Sequence, residues 1–297
     1  MSTAFEYIWL DNDGNFRNKT KICHETSPPE WNYDGSSTGQ ATTEKSEIIL
    51  KPVFTCPDPF RPSGQLVLCD TWISNTQPHP TNTRATTLET FQKYENDKPL
   101  FGFEQEFFIK GPKDDSFPHY CHVQFGTNGF VEKALQNCLM ANLPITGMNS
   151  EVAPDQWEIQ VCSGGITACD QLLILRYILQ RSVPGVDFHP KPYKHQNGSG
   201  CHINFSTDEI RKNTYDLQFV MGKFERRHQE DIKNYGEFNE LRLTGTHETS
   251  DPTKFTWGKG DRTASMRINN GYFEDRRPAS NIDPYLAAST ILNTLFS

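Results

Sequence analysis

The chain has 297 residues, of which 35% are hydrophobic and 22% are charged, and its formal net charge is −8. This composition is typical of a folded globular protein and excludes an intrinsically disordered chain. The acidic balance argues against nucleic acid as a main partner, because a phosphate backbone needs a basic face. No run of about 18 apolar residues and no signal-peptide pattern is present, so we expect no membrane segment and a cytoplasmic location.

The eight cysteines carry no C-x-x-C pair and no spacing typical of zinc ligands. Three of them precede a histidine, but neighbouring residues on a strand point to opposite faces and rarely bind one ion together. We therefore predict free thiols, as expected in a reducing compartment.

The first hundred residues read as a small strand-rich unit. The predicted elements are strands over 5–10, 16–22, 48–53 and 65–70 and a helix over 86–95. Asp13-Gly14 predicts a hairpin turn between the first two strands. We place a boundary near residue 97, which gives one domain over 1–96 and a second over 97–297.

A loop in this first unit, Trp31–Gly39, is rich in glycine and in hydroxylated residues. One interpretation is a plain surface turn. The other is a shaped backbone that presents Asp34 to a ligand. The residues alone favour the turn.

The stretch Phe101–Ile109 opens the second domain and reads as a strand with Glu104 and Glu106 on one face and Gln105 on the other. Two carboxylates among apolar side chains are costly to bury unless a cation lies between them. A divalent metal bound through oxygen is the simplest such cation. The alternative is an amphipathic strand whose glutamates face water.

Further elements follow in chain order. The predicted helices cover 128–142, with apolar positions at Phe130, Val131, Ala134, Leu135, Cys138 and Leu139, then 166–181 and a long polar helix 208–234 whose Arg226-Arg227 pair reads as a solvated face. A two-residue turn at Pro154-Asp155 would place Glu151 directly opposite Glu158 in a hairpin.

Two later segments add polar groups. A glycine-rich loop at Asn197–Gly200 leads into a strand on which His202, Asn204 and Ser206 share a face. The Asn270-Gly271 pair is a strong hairpin signal that pairs Arg267 with Glu274 and Ser265 with Arg276. A solvent-exposed salt-bridge ladder is the alternative reading of that face.

Together these segments offer a set of metal ligands and a set of anion binders. The candidate ligands are Glu104, Glu106, Glu151, Glu158, His202 and Glu274, and the candidate anion binders are Arg242, Arg262, Arg267 and Arg276. Such ligands suit roughly two or three Mg²⁺ or Mn²⁺ ions, which commonly bridge carboxylates to phosphates. Arginines beside them suit phosphoryl transfer. Since no Walker motif is present, the residues predict a metal-dependent enzyme that uses ATP without a P-loop.

The sequence resembles the glutamine synthetases of the eukaryotic type (class II). The stretches that carry the resemblance are Trp31–Thr38, Phe103–Glu106, Asn149–Val161, Asn197–Thr207, Arg242–Ser250, Arg262–Ile268 and Gly271–Pro284. The resemblance implies an α+β fold, with a small N-terminal β-grasp domain and a C-terminal catalytic domain whose curved antiparallel sheet is flanked by helices. It also implies a homo-oligomeric ring with each site between subunits, one lending the Asp34 loop.

The resemblance also implies roles for individual residues. Glu106, Glu151 and Glu158 would hold one metal ion, and Glu104, His202 and Glu274 another. Contacts to ATP, the co-substrate, would come from Asn204, Ser206, Arg262, Arg267 and Tyr272, with Glu104 and Glu158 beside the nucleotide. The amino-acid substrate, glutamate, would contact Asn197, Gly198, Arg242, Arg262 and Arg276.

The implied reaction transfers the γ-phosphoryl group of ATP to glutamate, and ammonia then displaces phosphate to give glutamine. Arg262 would lie at the γ-phosphate, Asp34 would bind and deprotonate ammonium, and Glu248 would close over the site. The alternatives are a ligase that joins glutamate to a larger amine, a non-catalytic structural homologue and a guanidino-kinase-like phosphotransferase.

The sequence departs from the family pattern at His189, at Gln196, in the loop 110–119 and at the short Asn270-Gly271 turn.

Overall fold

The computed structural model describes residues 2–110, 119–122, 127–246 and 249–297. Within them the chain divides into two compact units. The first comprises Met1–Leu88 with Gln136–Leu143, and the second comprises Glu89–Leu135 with Pro144–Ser297. The predicted boundary at residue 97 stays a prediction.

The first unit is built on a mixed sheet. Its strands are β1 (Thr3–Leu10), β2 (Phe16–Cys23), β3 (Trp31–Asp34), β4 (Glu47–Pro57) and β5 (Gln65–Trp72). Among the described residues the strand order is β2-β1-β5-β4-β3, with β1 and β5 parallel and the other neighbours antiparallel. Aromatic and branched residues at alternate positions, such as Phe5, Tyr7 and Trp9, form its core.

The second unit contains a larger sheet and most of the helices. Its strands are β6 (Leu100–Ile109), β7 (Ile145–Ser150), β8 (Gln156–Gly164), β9 (Val186–Asp187), β10 (Cys201–Ser206), β11 (Trp257–Lys259), β12 (Met266–Asn269) and β13 (Tyr272–Asp275). In the described chain the order is β11-β12-β13-β10-β6-β8-β7, and β9 also pairs with β6. All neighbours are antiparallel except β11 and β12. The α+β class is therefore confirmed.

Helices cover one face of this sheet. The α-helices of the described residues are α1 (Thr83–Lys93), α2 (Asn128–Met140), α3 (Gly165–Ser182), α4 (Asp208–Arg211), α5 (Leu217–Asp231) and α6 (Pro284–Leu295). Helix α3 contacts β6, β8 and α6, and α5 contacts α6. The odd-numbered residues of β6, including Phe101, Phe103 and Phe107, are buried on this side. The even-numbered Glu104 and Glu106 consequently face the other way. No helix within the described ranges is both long and apolar enough to cross a membrane.

Three local predictions are wrong. The helix predicted over 208–234 is two helices, because Asn213 adopts a left-handed backbone (φ 52°) and Asp216 caps a new helix. The hairpin register is also different: Glu158 pairs with Asn149, so the connection has five residues and not two. On α2, Val131, Ala134 and Cys138 are buried, but Phe130 and Leu139 are 45% and 53% exposed.

Other predictions are confirmed. The Asn270-Gly271 turn pairs Asn269 with Tyr272 and Arg267 with Glu274, as the sequence indicates. All eight cysteines, each of which lies in the described part of the chain, are free thiols. Arg226 is exposed, whereas Arg227 is half-buried and donates to Thr294 Oγ1 at 3.1 Å.

A fully buried ion pair lies behind the β12–β13 hairpin. Asp275 accepts two bonds from the Arg277 guanidinium, at 2.7 and 2.9 Å, and one from the Tyr235 hydroxyl at 2.9 Å. Neither Arg277 nor Asp275 is accessible to solvent. Breaking such a pair leaves an uncompensated buried charge, which costs far more than breaking a pair in water.

We expect Asp275→Ala to lower the free energy of unfolding by about 3–5 kcal/mol. The matched control is Asp208→Ala, because Asp208 pairs with Lys212 at the surface. That change should cost about 1 kcal/mol or less. Urea denaturation followed by tryptophan fluorescence measures both, and equal losses would contradict a specific role for the buried pair.

Candidate active site

The open face of the second sheet collects acidic groups from adjacent strands. Strand pairing places Glu106 directly opposite Glu158 on β8, and Glu104 directly opposite His202 on β10. Glu274 on β13 is opposite Asn204, the next residue on the same face of β10. The register thus brings together side chains that are up to 170 positions apart in the sequence.

Glu104, His202 and Glu274 form a tight cluster. His202 Nδ1 lies 3.4 Å from Glu104 Oε2 and 3.8 Å from Glu274 Oε1. One ligand atom from each of the three residues lies within 4.8 Å of the other two. Burial, together with the Arg276 guanidinium, holds the pKa of His202 well below its usual range. A neutral imidazole beside two carboxylates is a donor set that suits a divalent cation.

The other three glutamates are supported by neutral donors. Glu158 accepts from Gln160 Nε2 at 2.7 Å, Glu151 accepts from Asn149 Nδ2 at 2.8 Å, and Glu106 accepts from Gln156 Nε2 at 2.9 Å. Burial and the neighbouring carboxylate of Glu151 raise the pKa of Glu106 to about 8. Burial and the carboxylates of Glu104 and Glu106 raise the pKa of Glu158 to about 9. These carboxylates repel one another, and cations would relieve that repulsion.

The pKa values of Glu104 and Glu151 are also raised. Burial is the main reason that the pKa of each carboxyl lies above its usual value, although Glu104 accepts a hydrogen bond from Asn204 Nδ2 at 2.7 Å. The whole acidic face therefore favours bound positive charge. The alternative of a β6 face open to water does not hold, because Glu106 is buried and Glu104 is half-buried.

Arginines border the acidic face. Arg267 Nη1 lies 3.2 Å from Glu274 Oε2, and Arg276 pairs with the other oxygen of Glu274. Glu274 is only 3% exposed, so the surface-ladder reading of this hairpin is wrong. Arg242 is buried and donates through Nη2 to the carbonyls of residues 276, 277 and 278. Arg262 is exposed and lies over the ring of Tyr120 at 5.9 Å.

A cavity of about 270 Å³ lies on this face and brings most of the predicted residues together. The predicted residues that line it are Glu104, Glu106, Glu151, Glu158, Asn197, Gly198, His202, Arg242, Arg262, Arg267, Glu274 and Arg276. The backbone is close at Gly198, where a Cβ atom would lie 2.3 Å from Arg242 Cγ. Glycine is required there for loop and arginine to approach.

Three predicted nucleotide contacts lie outside the cavity lining. Asn204 donates to Glu104, Ser206 Oγ accepts from Arg211 Nη1 at 2.9 Å, and Tyr272 is 40% exposed at the hairpin. Asn204 and Ser206 nevertheless share the face of β10 that carries His202, as the alternation predicts.

Of the predicted catalytic residues, Asp34 is not among the described residues that line the cavity. Asp34 is the exposed last residue of β3 in the first unit, where it caps a short 3₁₀ helix (Gly35–Thr38). Its carboxylate accepts from the Ser36 hydroxyl and backbone N–H, and these bonds hold its pKa below the usual range. Glu248 lies outside the described residues.

Several lining residues were not predicted as site residues. They are Tyr120, Asn149, Val152, Gln156, Gln160 and Thr249. Gln156 and Gln160 alternate with Glu158 at period two, so the pattern of β8 held a signal for both. Tyr120 comes from a loop and had no such signal.

Comparison with known proteins decides the family. Residues 79–217 match the model for the catalytic domain of glutamine synthetase. A protein described as a putative glutamine synthetase from Acanthamoeba polyphaga mimivirus is 41% identical, over 99% of this chain and 94% of its own length. The glutamine synthetase of Saccharomyces cerevisiae is 40% identical, over 98% of this chain and 88% of its own. The chain belongs to the glutamine synthetase family.

This membership confirms the predicted enzyme class, a glutamate–ammonia ligase, and the predicted dependence of the family on ATP and divalent metal ions. Another similar protein is the glutamine synthetase cytosolic isozyme 1-1 of Oryza sativa subsp. japonica, which is 40% identical over 97% of this chain and 92% of its own length. A glutamine synthetase acts on small molecules, in agreement with the cavity. The non-catalytic alternative is not favoured.

We expect Mn²⁺ to stabilise the protein through the acidic face. At a concentration about 100 times its Kd, an ion that binds only the folded chain adds about 2.7 kcal/mol. Glu104→Gln keeps the shape of the side chain but removes a ligand charge, so it should abolish most of the shift in melting temperature. Glu209→Gln, on the exposed side of α4, is the control and should keep it. A full shift in Glu104→Gln would contradict the metal cluster.

Proposed function

We propose that this cavity catalyses the ligation of ammonia to L-glutamate through a γ-glutamyl phosphate, giving glutamine, ADP and phosphate. The observation that carries the proposal is the cluster of Glu104, His202 and Glu274 beside Arg267 and Arg276 on one face of the sheet. Ligands for cations and ligands for anions are thus adjacent, as transfer of a phosphoryl group requires.

Two groups of side chains would hold the metal ions. One is Glu106, Glu151 and Glu158, and the other is Glu104, His202 and Glu274. The carboxylate oxygens and the neutral imidazole fit Mg²⁺ or Mn²⁺, roughly two or three ions per site. When bound, such ions neutralise charge on the phosphate oxygens. Glu104 and Glu158 would also lie beside the nucleotide.

Glutamate would bind at the loop that carries Asn197 and Gly198. Arg242 and Arg276 would bind its carboxylates, since a guanidinium matches a carboxylate in charge and geometry. Three backbone carbonyls already fix the Arg242 guanidinium, so little side-chain freedom remains to be lost when the substrate binds.

ATP would contact the chain along β10 and the β12–β13 hairpin. Asn204, Ser206, Arg267 and Tyr272 would orient the nucleotide, and Arg262 would stabilise negative charge on the γ-phosphoryl group as it moves. The exposed position of Arg262 leaves it room to reach a phosphate at the mouth of the cavity.

The second step needs a base and protection from water. Asp34 would bind ammonium through a carboxylate that stays ionised, because hydrogen bonds from Ser36 hold its pKa low. It would also take a proton from the bound ammonium. Glu248 would accept a further proton and close over the acyl phosphate. An acyl phosphate hydrolyses readily, so excluding water protects it until ammonia attacks.

We also propose a homo-oligomeric ring in which the Asp34 loop of one subunit completes the cavity of its neighbour. Within the proposed N-terminal domain (1–96), the mixed sheet with a parallel β1–β5 pair supports a β-grasp fold. The proposed catalytic domain is 97–297. The name of the cytosolic rice relative supports a cytoplasmic location.

We expect Glu248→Ala to abolish glutamine formation and to leave ATP binding almost unchanged. The role of Glu248 begins after ATP has bound, so the loss should fall on turnover, by roughly 10²-fold or more. Phosphate release and glutamine are measured with ATP, glutamate and ammonium, and then with ammonium replaced by larger amines. Wild-type turnover in the variant would refute this role, and a preference for an amine would refute ammonia as the acceptor.

The ring predicts that two inactive variants rescue each other. A subunit with Asp34→Ala keeps intact metal ligands, and a subunit with Glu104→Gln keeps an intact Asp34 loop. When the two are co-expressed, random assembly should restore about one quarter of wild-type activity, because one site in four receives both intact halves. If each subunit built its own site, the mixed assembly would stay inactive.

A further inference from the structure

We infer that Gln156 is a positioning residue that couples the metal ligand Glu106 to the loop at Gly198. This inference rests on the proposed function of those two groups. Gln156 is the first residue of β8 and is 2% exposed. Its side chain touches both the acidic face and the loop to which we assign glutamate.

The carboxamide of Gln156 is fully engaged. Nε2 donates to Glu106 Oε2 at 2.9 Å and to the Gly198 carbonyl oxygen at 2.9 Å. Oε1 accepts from the backbone N–H of Ala153 at 3.3 Å, in the loop that carries Glu151. One amide therefore joins β6, the Asn197–Gly200 loop and the Glu151 loop.

The bond to Glu106 fixes which carboxylate oxygen faces the cluster. Glu106 Oε2 accepts from Gln156 and also from the backbone N–H of Gly200, at 2.9 Å. The other oxygen, Oε1, lies 4.0 Å from His202 Nδ1. A rotation of the Glu106 carboxylate toward or away from a cation would therefore strain both bonds to Oε2.

The bond to Gly198 lies in a loop with little room to move. Ser199 N–H donates to the Pro190 carbonyl at 2.8 Å, and a Cβ atom at residue 198 would lie 2.9 Å from the same oxygen. Because Gly198 also borders Arg242, a shift of its carbonyl changes the space beside that guanidinium. Binding of a metal ion at Glu106 and the conformation of the Asn197–Gly200 loop are thus linked through the side chain of Gln156.

The test compares the binding of Mn²⁺ with and without glutamate. In the wild-type protein we expect glutamate to tighten Mn²⁺ binding about tenfold, within the range of coupled sites. Gln156→Met keeps the length of the side chain but removes both donors, so the coupling should fall to about onefold. Free Mn²⁺ is measured by electron paramagnetic resonance on the full-length protein.

A matched control separates coupling from stability. Asn82 is another buried carboxamide, whose Nδ2 donates to the Thr71 carbonyl and whose Oδ1 accepts from Ala85 N–H. Asn82→Leu should lower the melting temperature, as Gln156→Met does, but should keep the tenfold coupling. If Gln156→Met fails to fold, Gln156→Glu preserves the volume, can donate at most one bond and should also lose the coupling.

The outcomes are distinguishable. Tenfold coupling in the Gln156 variants, or its equal loss in Asn82→Leu, would overturn the inference while the wild type still made glutamine. A wild-type protein that made no glutamine would overturn the proposed function, whatever the Mn²⁺ titrations showed.

Discussion

The structure depends on one electrostatic constraint, the burial of several carboxylates on a single face of a sheet. Glu106 and Glu158 are directly opposite each other and largely removed from water, which raises the pKa of both groups. Each accepts a hydrogen bond from a neutral amide. Burying these carboxylates lowers the free energy of unfolding of the chain alone. Binding of positive charge would offset this cost, so cation binding and folding stability are coupled.

The arginines complete this arrangement without cancelling it. Arg267 and Arg276 both pair with Glu274 at the edge of the cluster, whereas Arg242 is directed to backbone carbonyls. Beneath the sheet, buried Arg176 donates to Gln105 and to the carbonyls of Ser280 and Ile282. These arginine side chains thus stabilise the scaffold and border the cavity, but they do not neutralise the glutamates at its centre. That separation keeps both kinds of ligand available.

Sequence patterns predicted the parts of the site that local rules determine. Period-two alternation put Glu104 and Glu106 on one face of β6, and His202, Asn204 and Ser206 on one face of β10. The Asn270-Gly271 pair set the register that pairs Arg267 with Glu274. The register of the Glu151 loop was not predictable, because Pro-Asp fixes no turn type and Asp155 adopts a left-handed backbone (φ 55°). The burial of Glu274 was not predictable either, because an exposed salt-bridge ladder and a buried cluster have the same sequence pattern.

Neutral amides explain what sequence reasoning overlooked. Charged residues are the usual metal ligands and catalytic groups, so they stand out in a sequence. Gln156 and Asn149, in contrast, have the pattern of ordinary polar positions in a hairpin. In a low-dielectric site such amides orient carboxylates without supplying a charge that would compete with a metal ion. A lysine in place of Gln156 would neutralise Glu106 and weaken the site for cations. Carboxamides are therefore the appropriate donors around a metal-binding face, and their placement is set by strand register, which only the folded chain reveals.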